Sequence, residues 1–222
     1  MVAQHVVPAR TLVQPKDLSH YIGIPGTKFM IEREQSHNNL NFDAADASLK
    51  KEGLFMPSPA IFMPYRNKAI KAAAGDARLY DGAGKVLTRD AANEVASPLT
   101  EGCWAWLYAK FAEQQGRTLI TYNRIRKPDT VEEVTEALQL EKSISGGTLV
   151  DLVFNEQGMP VRESRRQGFD AKNNICFYCP CDGTVAWFWA GAGRAILVYY
   201  GDPLDSDAAL GVFACAAGAQ KF

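Results

Sequence analysis

The sequence predicts an α+β fold in which short antiparallel strands fill the C-terminal stretch and helices pack on them. Three features lead there. Thr184–Ala216 holds two aromatic and β-branched runs, Trp187-Phe188-Trp189 and Ala195–Tyr200, split by the glycine turn Ala190–Gly193 and followed by an Asp-Pro-Leu-Asp-Ser-Asp loop. Such runs bounded by Gly, Pro and Asp read as strands joined by turns. Glu101–Gln115 places apolar residues at 104, 107, 108, 111 and 112, the i, i+3, i+4, i+7, i+8 face of an amphipathic helix. Asp129-Thr-Val-Glu-Glu, with a capping residue and acid in the first turn, predicts a second helix reaching about Leu140.

The elements before residue 97 are smaller. Residues 1–27 mix Pro, Gly and polar residues and read as an extended arm with a short strand at Thr11–Val13. Lys28–Arg33 alternates like a strand, Ser36–Asn41 is a polar turn, and Asp43 caps a short helix over Ala44–Lys51. Leu54–Pro64 is apolar but carries three prolines, so it reads as a surface segment packed on a core or a partner chain. Tyr65–Ala74 is a helix closed by Gly75. Residues 77–88 contain Asp81-Gly-Ala-Gly between two strand-like tetrads, the clearest hairpin signal in the chain. Downstream, Thr118–Ile125 is strand-like, Ser143–Thr148 is a glycine loop, and Leu149–Phe154 and Met159–Glu163 flank a turn at Asn155–Gly158. Arg162–Arg166 is a small basic patch, and Ile175–Tyr178 opens the terminal sheet.

Composition sets bounds on function. The chain has 222 residues, 47% hydrophobic and 22% charged, with a net charge of −1. That balance gives no general attraction to nucleic acid or anionic membrane. No apolar run approaches the ~20 residues needed to span a bilayer, and the first residues show no signal-peptide pattern. The reading is therefore no nucleic acid and no membrane insertion. Five cysteines, an odd number, leave at least one thiol unpaired within the chain.

Several constellations invite chemistry. Gly102-Cys103-Trp104 at an expected helix start suggests an activated thiol, yet His5, His20 and His37 all lie upstream, and a small buried cysteine is the simpler reading. Cys176, Cys179, Cys181 and Cys215 have some of the spacing of a zinc site, but Pro180 sits between two of them and no second knuckle follows. Asp202, Asp205 and Asp207 crowd one loop without the further oxygen ligands calcium needs. The sequence thus assigns no metal and no cofactor. Aromatics on both faces of two adjacent strands are the stronger signal. Core packing can absorb one face only, and exposed Tyr marks binding surfaces.

Gly193-Arg194-Ala195, then Gly201, Pro203, Ser206, Ala208 and Leu210-Gly211-Val212 down to Cys215, resemble the variable repeat of diversity-generating retroelement variable proteins. Asp202 is inserted relative to that pattern, and Phe213 stands where members often carry Arg. Cys103-Trp-Ala-Trp-Leu, Arg117-Thr-Leu-Ile-Thr and Thr130-Val-Glu-Glu-Val resemble a degraded signature of formylglycine-generating-enzyme-like lectin folds. The resemblance implies a C-type lectin fold, two helices flanking short antiparallel sheets, over residues 97–222. An N-terminal extension would occupy 1–96, and a variable region about 184–212. It implies a non-enzymatic binding protein on a virion or cell surface, meeting a protein or cell-surface ligand, with a homo-oligomer left open. A formylglycine-generating-like cysteine redox enzyme and a structural virion protein are the alternatives.

In that family variation arises at template adenines, and codons derived from Asn in this way never give Lys, Glu, Gln, Met or Trp. From 173 to 219 the chain lacks Lys, Glu, Gln, Met and also His. The alignment makes Leu197, Tyr199, Tyr200, Asp205, Asp207 and Ala209 the variable, ligand-binding positions, with Ala186 and Phe188 added before the glycine turn. Those eight side chains should point outward, while Trp187, Trp189 and Leu210 should be mainly buried.

Overall fold

The computed structural model describes residues 5–7, 12–126, 130–140, 147–149, 154–161, 175–191 and 194–222, the stretch 147–149 by its backbone alone. In chain order the elements are β1 (His5–Val7), β2 (Tyr21–Gly23), β3 (Phe29–Glu32), α1 (Phe42–Glu52), α2 (Pro59–Ala74), α3 (Arg89–Ala96), α4 (Pro98–Glu101), β4 (Cys103–Gln114), β5 (Arg117–Arg126), β6 (Thr130–Ala137), β7 (Gly147–Leu149), β8 (Ile175–Tyr178), β9 (Val185–Gly191), β10 (Arg194–Gly201), β11 (Leu210–Gly211) and β12 (Cys215–Ala217). The large sheet runs β1-β6-β5-β4-β9-β10-β8-β7, with β11 joined to the start of β4. Its pairs are antiparallel except β10–β8 and β11–β4. A three-stranded antiparallel sheet, β12-β3-β2, completes an α+β structure.

The two helices expected at 101–115 and 130–140 are strands instead. In β4, Cys103, Ala105–Ala109 and Phe111 are all buried. The strand lies between two clusters, with Leu107 and Phe111 in one and Trp106 and Tyr108 in the other. A strand buried on both faces is a nearly continuous apolar run, and such a run satisfies a helical template by coincidence. In β6 the misleading signal was acid in a supposed first turn. The carboxylates of β6 have cross-strand or same-face partners: Glu132, from that supposed turn, meets Arg124 and Arg126 at 3.5 and 3.3 Å, and Glu136, further along, accepts from Tyr122 at 3.0 Å. Glutamate is unfavourable in isolated strands, and such cross-strand pairs reverse the preference.

Helix α1 starts a little earlier than the Asp43 cap implies. Asn41 Oδ1 accepts the Ala44 N–H at 2.9 Å, and Gly53 closes the helix with φ 72°. Helix α2 absorbs part of the segment expected at the surface. Leu54–Pro59 is buried, Pro59 occupies the first helical turn, and Pro64 sits inside the helix on its exposed side. Gly75 ends α2 with φ 92°, as the sequence suggests. The expected hairpin at 77–88 is reduced to a turn with one Tyr80–Val86 bridge, held by Asp81 accepting from Ala83 and Lys85. Leu12 and Val13 form no strand, and Thr11 lies outside the described residues. So do the patch at 162–166 and most of the glycine loop at 143–148.

Residues before and after 97 share their sheets and their cores. Strand β12 pairs with β3, Cys215 opposite Ile31, and not with the region of Ser97; the start of β4 meets β11 instead. Phe62 of α2 packs on Phe188 and Phe213, and Phe42 of α1 on Trp106 and Tyr108. The N-terminal stretch therefore stabilises the C-terminal sheet directly: each buried aromatic contributes roughly 2–3 kcal/mol of apolar burial to a common core.

Candidate functional site

The site is built on the alternation of side chains across β4, β9, β10 and β8. Trp104, Trp189, Ile196 and Cys176 stand in register, and so do Trp106, Trp187, Val198 and Tyr178. Ala105, Phe188, Leu197 and Phe177 form the intervening row. Successive side chains point to opposite faces, so the first two rows share one face and the third lies on the other.

This register reverses half of the expected binding face. Ala186, Phe188, Leu197 and Tyr199 are fully buried. Phe188 lies 5.3 Å from Phe62 of α2. Tyr199 is wedged between Phe111 and Phe177, each at 5.3 Å, and its hydroxyl donates to the Gly158 carbonyl at 2.6 Å. Burial holds the Tyr199 hydroxyl far above its usual titration range. These four side chains form the inner layer of the core and touch no solvent. Random replacement there would cost about 2–5 kcal/mol per large residue.

The other four positions face outward. Tyr200 is 47% exposed, Asp207 and Ala209 are exposed, and Asp205 is half-buried. Trp187 and Trp189, expected in the core, lie on this outer face and are half-buried; Leu210 is buried as expected. Two glycines let the indoles lie down on the sheet. A Cβ on Gly201 would come within 2.4 Å of Trp187 Cδ1, and one on Gly191 within 2.8 Å of Trp189 Cζ2. Trp104 and Trp187 pack edge to face at 5.6 Å, and Tyr178 and Tyr200 at 5.5 Å. The result is an aromatic floor reaching from Trp104 on β4 to Tyr178 on β8, partly open to solvent.

The loop after β10 borders this floor and is held by its own aspartates. Asp202 accepts from Leu204 N at 2.9 Å, Asp205 from Asp207 N at 3.3 Å, and Asp207 from Ala209 N at 2.8 Å. Such side-chain turns give the aspartates a structural task apart from any metal. The Pro203 carbonyl accepts the Phe42 N–H at the start of α1, at 3.1 Å. Leu204 projects at 76% exposure. Gly211 is pressed against Asn38 and Ser36, which leaves no room for a side chain. Gly201 and Gly211, both part of the repeat pattern in the sequence, thus each have a packing reason to be glycine.

No disulfide joins any of the five cysteines. Cys103 begins a strand rather than a helix, and burial pushes its thiol up to about 12 despite nearby Arg66. Burial likewise raises Cys215, and also Cys179, where Cys181 adds to it. A thiol held protonated is a poor nucleophile. Among the described residues, no group of three or more His, Cys, Asp or Glu is placed to hold a metal, and no helix is long and apolar enough to cross a membrane.

Tyr178 was not singled out by the sequence, because the variable repeat is counted from Arg194 onward. Its signal was the Tyr following Phe177, the same apolar-then-Tyr step seen at Tyr199-Tyr200. No protein-family model, curated protein or solved structure matches the chain.

Proposed function

We propose that the chain is a non-enzymatic binding protein that meets a protein or cell-surface ligand with the outer face of β9, β10 and β8 and the adjoining 202–209 loop. The observation that carries this is the open aromatic floor, with Tyr178, Tyr200 and Leu204 at its exposed edge. Tyrosine offers wide contact area with two rotatable angles, and a sheet base presents it already ordered, so little entropy is lost on binding. The frame supports a C-type-lectin-like reading in one respect. The strand near the C-terminus, β12, lies antiparallel beside the early strand β3, and the helices α1 to α4 follow β3 before the long strand β4 begins. In that reading the lectin-like unit runs from about residue 21 to 217.

The further step is that this face is the variable surface of a diversity-generating retroelement protein. Its support is the limited residue alphabet of 173–219, together with the fixed packing of Gly201 and Gly211 beside exposed Tyr200, Asp207 and Ala209. Deep sequencing of the gene across a population tests it. Amino-acid changes should concentrate at the codons for Tyr200, Asp205, Asp207 and Ala209, spare those for Phe188, Leu197 and Tyr199, and accompany a nearby template repeat and reverse-transcriptase gene. Uniform variation, or variation centred on the buried codons, rejects the reading.

A further inference from the structure

A cleft of about 1020 Å³ opens on a different part of the molecule, between the turn after β2, one face of α2 and the end of β5. Ala60, Ile61, Pro64 and Lys68 reach it from α2, and their spacing places them on one side of the helix. Its walls combine apolar surface, from Ile61, Pro64 and Ile125, with an excess of positive charge. Among the described residues, Lys68, Arg124, Arg126 and Lys221 line it against a single acid, Glu156. Outside the lining, Glu132 reaches Arg124 at 3.5 Å and Arg126 at 3.3 Å, which offsets one further charge. Among the described residues two positive charges remain in excess, in a chain whose net charge is −1.

Lys68 and Lys221 make no ion pair among the described residues. Arg124 Nε is buried with no acceptor among them. A fold that wanted only solubility would scatter such cations over open surface. Here they converge on a concave, half-apolar wall, where low polarity strengthens their pull on an oxyanion and the planar guanidinium matches phosphate or carboxylate geometry.

We propose that this cleft binds a small molecule carrying a phosphate or carboxylate group on an apolar body. The site is separate from the aromatic face and does not rest on the function proposed for it. Phenyl phosphate, benzoate and the neutral benzyl alcohol are suitable probes, titrated calorimetrically into the full chain at low ionic strength. One or both anions should bind one to one with a Kd below about 1 mM, the tighter naming the preferred group, and benzyl alcohol should bind at least about tenfold more weakly. The double variant Lys68→Gln/Lys221→Gln removes charge at side chains that are not buried. It should melt as the wild type does and weaken anion binding by about tenfold or more. Lys51→Gln/Lys71→Gln, on lysines outside the cleft lining, should leave binding unchanged. The proposal is overturned if neither anion binds by about 10 mM, if benzyl alcohol binds as well as the anions, if the folded cleft variant binds like wild type, or if the control pair weakens binding equally.

Discussion

On the inward side of β9 and β10, Phe188, Leu197 and Tyr199 are closed off from solvent, while one residue along, Trp187, Ile196 and Tyr200 keep part of their surface open. The two faces carry nearly interchangeable chemistry, an aromatic or aliphatic side chain at almost every position. What separates them is what lies opposite. The inward face meets Phe62 of α2 and is filled by Phe111 and Phe177, whereas the outward face meets Phe42 of α1 at Trp106 and, toward β8, solvent. Similar side chains become core or open surface according to the layer that covers them, and a shift of one residue exchanges the two.

The largest effect that tests this contrast is on the inner face. Tyr199→Ala removes a ring packed between two others and leaves the Gly158 carbonyl without its donor. It should lower unfolding stability by about 3–5 kcal/mol, measured by urea denaturation. A loss under about 1 kcal/mol would mean that Tyr199 is not a core residue. A Tyr199→Ala/Tyr200→Ala double variant is therefore expected to destabilise the chain, so any loss of binding in it would not report on the outer face alone.

A smaller effect sits at the boundary between the faces. Gly201→Ala brings a Cβ to within 2.4 Å of Trp187 and must lift the indole from the sheet. Overpacking of this kind should cost about 1–3 kcal/mol, and Trp187→Phe, with its smaller ring, should recover part of it. If Gly201→Ala is neutral by thermal melting, the indole is not held by that glycine.

Thiol chemistry separates the faces next. Cys103 sits on the inner face in register with Ala190, whereas Cys181 is exposed beyond β8. A thiol reagent at pH 8 should modify Cys181 at once and Cys103 and Cys215 only on unfolding. Burial raises Cys103 from 9.0 and Tyr21 from 10.0, each to about 12. In the unfolded chain both ionise at lower pH, so the stability they contribute is complete below about pH 9 and is lost as pH rises through 12. The melting temperature should fall across that window, and Cys103→Ala should flatten the first part of the decline.

Tyr200→Ala sharpens the comparison with the smallest stability effect. Tyr200 is half exposed and its main partner is Tyr178 at 5.5 Å. Truncation should cost below about 1 kcal/mol. A ligand of the outer face, once isolated, should lose at least about tenfold in affinity, as for an exposed aromatic anchor. A variant that binds normally removes Tyr200 from the recognition surface.

By itself the sequence determined the features written in local chemistry. The glycine closing α2, the strands β3, β5, β8, β9 and β10, and the mixed α+β composition all follow from turn residues and β-branched or aromatic runs that act over a few positions. The repeat glycines were legible for the same reason, because a missing Cβ leaves a mark whatever surrounds it. Tertiary structure decided the rest. Whether 103–111 is helix or strand depended on its being covered on both faces, which erases periodicity. The acids of β6 became strand residues only once Arg124, Arg126 and Tyr122 stood across from them. Leu54–Pro59 became core because α2 and β12 close over it, Phe55 bridging Cys215. Which of Tyr199 and Tyr200 turns inward was set by the register of β10 between β9 and β8, a long-range pairing that no local spacing encodes when both faces are apolar.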